Sequence, residues 1–292
     1  MTKPETSQRQ VLIFLCHRTE PEFIARFKAI ESAFKPQGDA FFVFDNSDTE
    51  LPPSIKALRH ATFTKTSLNA LGYPRLHDGF YPGHTHFPML DFAIKHPSYS
   101  YYWVVEYDVR LTCPWGIFFW LLRHSHADFI ATHLRRFQEQ QAWYWWPSFS
   151  HPEESVDLKT CIRFFGPISR MSREAVQLVD SKLKSGWKGH QEVVIPTLIA
   201  AAGLQLQDLA SGSYFGCHTK WSWYTYQKAD RAGYLAKSSM RFLPPMESLG
   251  LRPFTLYHPI KLEKSGYQLL LDRVRRKILS FASKMSRSSD PN

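Results

Sequence analysis

A chain of 292 residues, 43% of them apolar, carries enough hydrophobic material for a sizeable core and is expected to form one large domain. Its net charge of +10 at pH 7 points to an anionic partner such as nucleic acid, a phosphorylated substrate or an acidic membrane surface. Cys16, Cys113, Cys161 and Cys217 lack zinc or redox spacing, no segment reaches the roughly 20 apolar residues of a bilayer span, and the polar start from Met1 to Gln10 is no secretory signal, so a cytoplasmic protein with reduced thiols is expected.

In chain order, Val11 to Cys16 reads as a short apolar strand. Pro21 to Phe34 reads as a helix, with Phe23, Phe27 and Ile30 at helical spacing and Thr19 as its cap. Ala40 to Phe44 is a second strand running into Asp45-Asn46-Ser47-Asp48, where turn chemistry meets a carboxylate at a strand exit. Ala61 to Lys65 suggests a third strand, Asn69 to Gly83 a loop rich in Gly and Pro, and Thr85 to Lys95 a helix through Phe87, Leu90 and Ile94. Further on come a helix at Ile117 to Leu122, strands at Asp128 to Thr132 and Cys161 to Ile168, and helices at Arg173 to Lys184 and Glu192 to Ala202.

The most pointed stretch is Tyr101-Tyr102-Trp103-Val104-Val105-Glu106-Tyr107-Asp108-Val109-Arg110. An aromatic and β-branched run that is apolar on both faces suits the middle of a sheet covered by helices, and ligands in open α/β sheets bind at the carboxyl ends of such strands. Strand alternation gives Glu106 and Asp108 the same parity, close enough to share a divalent cation. Arg110 follows, placed to contact a phosphate while balancing the acids. The alternative is a surface turn whose acids pair with Arg110 or nearby lysines. Downstream, Gly186 to Gln191 is a glycine-punctuated loop that delivers Glu192 to a helix N-terminus, where the dipole favours its charged form and makes it a candidate base. A helix-capping carboxylate is the structural alternative. Glu153 and Asp157 are weaker candidates for the same role.

The 101–110 block, with Trp115 shortly after it and Gly189-His190-Gln191-Glu192 downstream, resembles a bacterial and fungal family regarded as GT-A-type glycosyltransferases; the likeness spans most of residues 10 to 210, and its specific part is the block itself. The Glu-Tyr-Asp strand end is similar to the Asp-x-Asp motif of that fold, with Glu106 standing for the first Asp. The resemblance implies an α/β, GT-A-like (Rossmann-like) mixed and mostly parallel sheet flanked by helices. It implies Asp108 as the metal ligand, Glu106 as a ligand or ribose contact, and Mn2+ or Mg2+ bridging the diphosphate of a nucleotide sugar, a UDP-sugar above all. By the same carry-over Asp45 reads the nucleobase or ribose, His258 adds a metal ligand, Lys261 meets the diphosphate and Glu192 serves as catalytic base. His17 and Arg18, at the exit of the first strand, are expected donor contacts from their position alone.

A single catalytic domain is expected over 1–262, with a donor-binding half at about 10–135 and an acceptor half at about 136–262, followed by a basic amphipathic helix and tail at 263–292 in which Leu271, Val274, Ile278, Phe281 and Met285 share one face. That helix suits either an anionic bilayer surface at the inner face of the cytoplasmic membrane or the domain core. The rings of Ala142 to Phe149 and of Tyr214 to Tyr226 serve an acceptor groove or the core. The leading expectation is a metal-dependent glycosyltransferase acting on a glycan or lipid-linked acceptor in surface polysaccharide synthesis, with no nucleic-acid partner, because basic residues form no continuous stripe interleaved with aromatics. A metal-dependent phosphodiesterase or nuclease is the alternative, marked by a second metal cluster joining His84 and His86 to Asp108. A non-catalytic glycan- or membrane-binding module is the third.

Overall fold

A computed structural model describes residues 9–210, 213–214, 224–226 and 228–261. Strand β1 (Gln10–Cys16), helix α1 (Pro21–Phe34) and strand β2 (Gly38–Asp45) come first, then α2 (Pro53–Lys56), β3 (His60–Phe63), α3 (Lys65–Asn69) and α4 (Phe87–Lys95). The acidic block forms β4 (Tyr101–Glu106) and β5 (Arg110–Leu111), and is followed by α5 (Trp115–Leu122), β6 (Phe129–Arg136) and β7 (Ile162–Ser172). Helices α6 (Arg173–Lys184) and α7 (Gln191–Ala201) and strands β8 (Leu206–Asp208), β9 (Ser213–Tyr214) and β10 (Leu256–Tyr257) complete the order.

Eight strands form one sheet in the order β3-β2-β1-β4-β7-β6-β8-β9, and β10 pairs with β5 in a separate two-stranded ribbon. Strands β3, β2, β1 and β4 are mutually parallel, while β7 runs antiparallel between β4 and β6. The expected mixed, mostly parallel sheet flanked by helices is therefore present. The reversal at β7 had no signature in the sequence, because a run buried on both faces looks the same in either direction.

Alternating side chains send each central strand into two cores. Val11, Ile13, Tyr102 and Val104 join one hydrophobic cluster, whereas Leu12, Phe14, Trp103 and Val105 join the other. Trp103 is fully buried, packs edge-on against Phe118 and Phe119 of α5, and donates its indole N–H to Gln10 Oε1 at 2.9 Å. Trp103→Ala is expected to lower the unfolding free energy by about 3–5 kcal/mol, measured as a fall in the urea midpoint at unchanged slope.

Local chemistry corrected several boundaries. Thr19 does not cap α1; Glu20 holds the cap position without a side-chain hydrogen bond and Pro21 opens the helix. The third strand stops at Phe63 because Thr64 forms a reciprocal capping box with Ser67 and starts α3 where strand was expected to continue. Helix α4 starts two residues later than expected, as Thr85 and His86 are held in the preceding loop. Cys16, Cys113 and Cys161 are free thiols. Among the described residues no helix is long and apolar enough to cross a membrane. The amphipathic segment at 263–292, Cys217, Trp221 and Trp223 lie outside the described residues.

Candidate active site

A cleft of 540 Å³ opens at the carboxyl ends of the parallel strands. Its floor comes from Leu15 to His17 after β1, Asp45 of β2 and Glu106 of β4. Phe165 to Pro167 of β7 and His190 to Glu192 at the start of α7 form one wall, and Tyr81 to Gly83, Phe242, Leu243 and the His258 segment close the others.

Asp108 reaches this cleft by a route that strand alternation does not describe. Strand β4 ends at Glu106, and Val109 N–H donates to the Glu106 carbonyl at 3.0 Å, so Asp108 lies in a tight turn. The β5–β10 ribbon pairs Leu256 with Leu111 and Tyr257 with Arg110, and Ile260 N–H donates to the Asp108 carbonyl at 2.8 Å. These bonds bring His258 beside the acids across a sequence separation that no local pattern spans. Arg26 of α1 staples the arrangement: its buried guanidinium donates to the carbonyls of Tyr107 at 3.1 Å and Ile260 at 2.8 Å. Its spacing marked it only as one more residue of an amphipathic helix.

Glu106, Asp108 and His258 offer ligand atoms that all lie within 4.8 Å of one another, the sole such group of three or more among the described residues. His258 Nε2 is 3.5 Å from Glu106 Oε2 and 3.3 Å from Asp108 Oδ1. Asp108 Oδ1 is nevertheless buried without a properly aligned hydrogen bond. Burial alone would lower the His258 pKa, but the two carboxylates reverse this and push it up to about 9. Burial alone would raise Asp108, and the facing His258 instead holds it below the usual carboxylate value. Two hard carboxylates and an imidazole converging on one point, one oxygen left without a donor, fit a divalent cation such as Mn2+ or Mg2+.

Glu192 occupies the second position of α7, after the cap residue His190. It faces the same cleft as the acidic trio. Gly166 N–H donates to Glu192 Oε1 at 3.3 Å, and Arg163 Nη2 lies 3.6 Å from Oε2. Burial works against the charged form that the helix N-terminus favours and pushes the pKa up to about 7 against the opposing Arg163 and Gly166 N–H. The loop before α7 is fixed by Gln191, whose Oε1 accepts from Thr85 N–H at 2.6 Å and whose own N–H donates to the Gly83 carbonyl at 2.8 Å. Gly83 has φ +107°, and a Cβ there would come within 3.2 Å of His190, so this crossing requires glycine.

The remaining candidates divide. Asp45 lines the cleft while its Oδ1 accepts from Ser47 N–H at 3.0 Å, so it is at once a wall of the site and the head of an Asx turn. His17 and Lys261 also line the cleft, and burial together with neighbouring Arg18 lowers the His17 pKa. Arg18 does not line it: its guanidinium is engaged by Glu20 two residues on. Arg110 does not line it either, because β5 turns away to pair with β10. Glu153 and Asp157 do not line it either, Asp157 capping a short 3-10 turn by accepting from Lys159 N–H at 2.9 Å beside a separate cavity. His84 and His86 are buried and join no acidic group; His84 Nε2 accepts from Leu76 N–H at 3.0 Å. The second cluster that would mark a phosphodiesterase is not formed among the described residues. Trp143 and Trp146 are buried, as core packing requires, whereas Trp145 stacks on His190 with ring centroids 4.7 Å apart and Tyr144 is exposed.

No family model matches the sequence, and no curated protein matches it. Among the solved structures that match this chain are several glycosyltransferases. Core-mannan synthase A from Aspergillus fumigatus, in an Mn/GDP form, is 12% identical with a TM-score of 0.37 over 76% of this chain and 77% of that one. A Drosophila β1,4-galactosyltransferase 7 in complex with manganese, UDP-Gal and xylobiose is 12% identical with a TM-score of 0.33 over 73% and 72%. The galactosyltransferase LgtC, in complex with donor and acceptor sugar analogs, is 10% identical with a TM-score of 0.36 over 65% and 70%. The functional reading of this cleft rests on its own atoms.

Proposed function

We propose that this chain is a metal-dependent glycosyltransferase that uses a nucleotide-diphosphate sugar, with a UDP-sugar as the first donor to test. The observation that carries the reading is the convergence of Glu106, Asp108 and His258 in a cleft at the strands' carboxyl ends that also holds the buried carboxyl of Glu192. Asp108, Glu106 and His258 would hold the cation, which when bound supplies neutralisation of the charge on a diphosphate leaving group. Lys261 adds a positive group beside the same phosphates. His17 and Asp45 bound the end of the cleft where the first two strands exit, and they receive the nucleoside. With a pKa near neutrality, Glu192 accepts the proton of an attacking hydroxyl.

On the acceptor side we propose a glycan or lipid-linked glycan of a surface polysaccharide. Phe242 and Leu243 are largely exposed yet line the cleft, an apolar rim suited to an amphipathic acceptor. A cytoplasmic enzyme that docks on an anionic inner membrane face is the location this acceptor and the +10 charge favour.

Thermal shift against UDP, GDP and CMP and their sugar conjugates, with and without Mn2+, tests the reading. A ligand held at a hundredfold excess over its Kd stabilises the fold by about 2.7 kcal/mol. The expected result is a rise of several degrees with one nucleotide, seen only when Mn2+ is present. A melting temperature indifferent to every nucleotide, with and without the ion, would reject the proposal.

A further inference from the structure

Arg163 is a buried cation with an unusual cage. It lies on β7 with 2% of its surface exposed, and its guanidinium carbon sits 4.0 Å from the centroid of the Trp143 ring. Nη1 donates to the Gly233 carbonyl at 3.4 Å, and Nη2 points to Glu192 Oε2 at 3.6 Å. Gly233 itself is shaped to the cage: a Cβ there would stand 2.8 Å from Nη1. Nε has no hydrogen-bond partner, so the nearby Glu192 carboxylate is the main compensation for burying this charge. A guanidinium clamped by an aromatic face and a carbonyl has little freedom to follow a moving partner, so its position dictates where the carboxylate rests.

We propose that Arg163 is a positioning residue of the cleft, its Trp143 and Gly233 cage fixing the Glu192 carboxylate at the cleft wall. The proposal rests on the reading of Glu192 as the base. The charged groups facing Glu192 are Arg163 from β7, Glu106 from β4 and His258 after β10. Of these, Arg163 is the cation that opposes the burial penalty most strongly, while Glu106 adds to that penalty. Arg135 faces Arg163 from β6 as a like charge, and His190 lies close to it. An opposite charge within about 4–6 Å lowers a carboxyl pKa by roughly 1–3 units, so losing Arg163 moves the Glu192 titration upward by that order.

Infrared difference titration of the carboxyl C=O band, assigned with Glu192→Gln, reads this directly without any substrate. In Arg163→Met the midpoint is expected to rise by about one unit or more, while Arg163→Lys stays close to the parent. Turnover of donor and acceptor at pH 7 should then fall about fivefold in Arg163→Met and recover at pH 9, the behaviour of a base that has become harder to deprotonate. Arg163→Gln, which keeps a donor in the cage, carries the same measurements if the methionine variant does not fold. An unmoved midpoint together with an inactive Glu192→Gln overturns the role of Arg163 alone. Full turnover in Glu192→Gln overturns the base assignment itself.

Discussion

Asp108→Ala is expected to abolish Mn2+-dependent nucleotide binding and to cut sugar transfer by about a thousandfold or more, the scale on which an electrostatic stabiliser of a developing charge is lost. The carboxylate is buried, it is one of three ligand groups within 4.8 Å, and one of its oxygens has no aligned donor. Its backbone does the structural work of the turn, since Ile260 N–H bonds the Asp108 carbonyl rather than its side chain. The variant should keep the parent's circular dichroism, with a lower urea midpoint because buried His258 loses one of its two carboxylate neighbours, while Mn2+ titration by calorimetry shows binding weakened at least tenfold. Transfer at the parental rate by Asp108→Ala would show that the metal assignment is wrong. Asp108→Asn separates charge from shape, and the loss should persist there, because a neutral amide is a poor ligand for a hard dication.

The second large effect is expected in Glu192→Gln: kcat falls by about 10²–10⁴, the usual contribution of a positioned general base, while donor affinity stays within a factor of about two. Binding is preserved because the amide keeps the volume of the acid and the acceptor for Gly166 N–H. The wild-type pH profile supplies the sign. The carboxyl acts as a base only when ionised and its pKa is raised to about 7 by burial, so the rate should climb as pH rises from 6 to 8 with a midpoint near 7. In Glu192→Gln that limb should vanish from the residual rate. A rate that is flat across this range in the parent would remove Glu192 from the chemistry, as would a variant with unchanged kcat.

Much of the framework around the cleft was legible because strands and their exits are local features. Val11 to Cys16, Ala40 to Phe44 and the Tyr101 to Val105 run announce buried strands through composition, and the acids appear where apolar residues stop. Helices α1 and α6 followed from spacing for the same reason. Arg18 and Arg110 do not line the cleft; a cation next to a strand exit looks available until its own neighbours are known. Glu20 engages the first, and the β5–β10 ribbon draws the second away from the cleft.

What this sequence determined by itself was the pair of apolar faces on each central strand, the helices that cover them, and the acidic exit at Glu106 and Asp108. Those follow from alternation, helical spacing and turn chemistry, all of which operate within a few residues. The tertiary structure alone decided that β7 reverses direction and that His258 closes on the two acids through pairing of β10 with β5. It also set the protonation of Glu192, which depends on burial against Arg163 and the Trp143 cage rather than on the helix end that carries it. The approach of these charged groups joins residues 29 to more than 140 positions apart in the chain, here Arg163 with Glu192 and Asp108 with His258, and local pattern does not contain those distances.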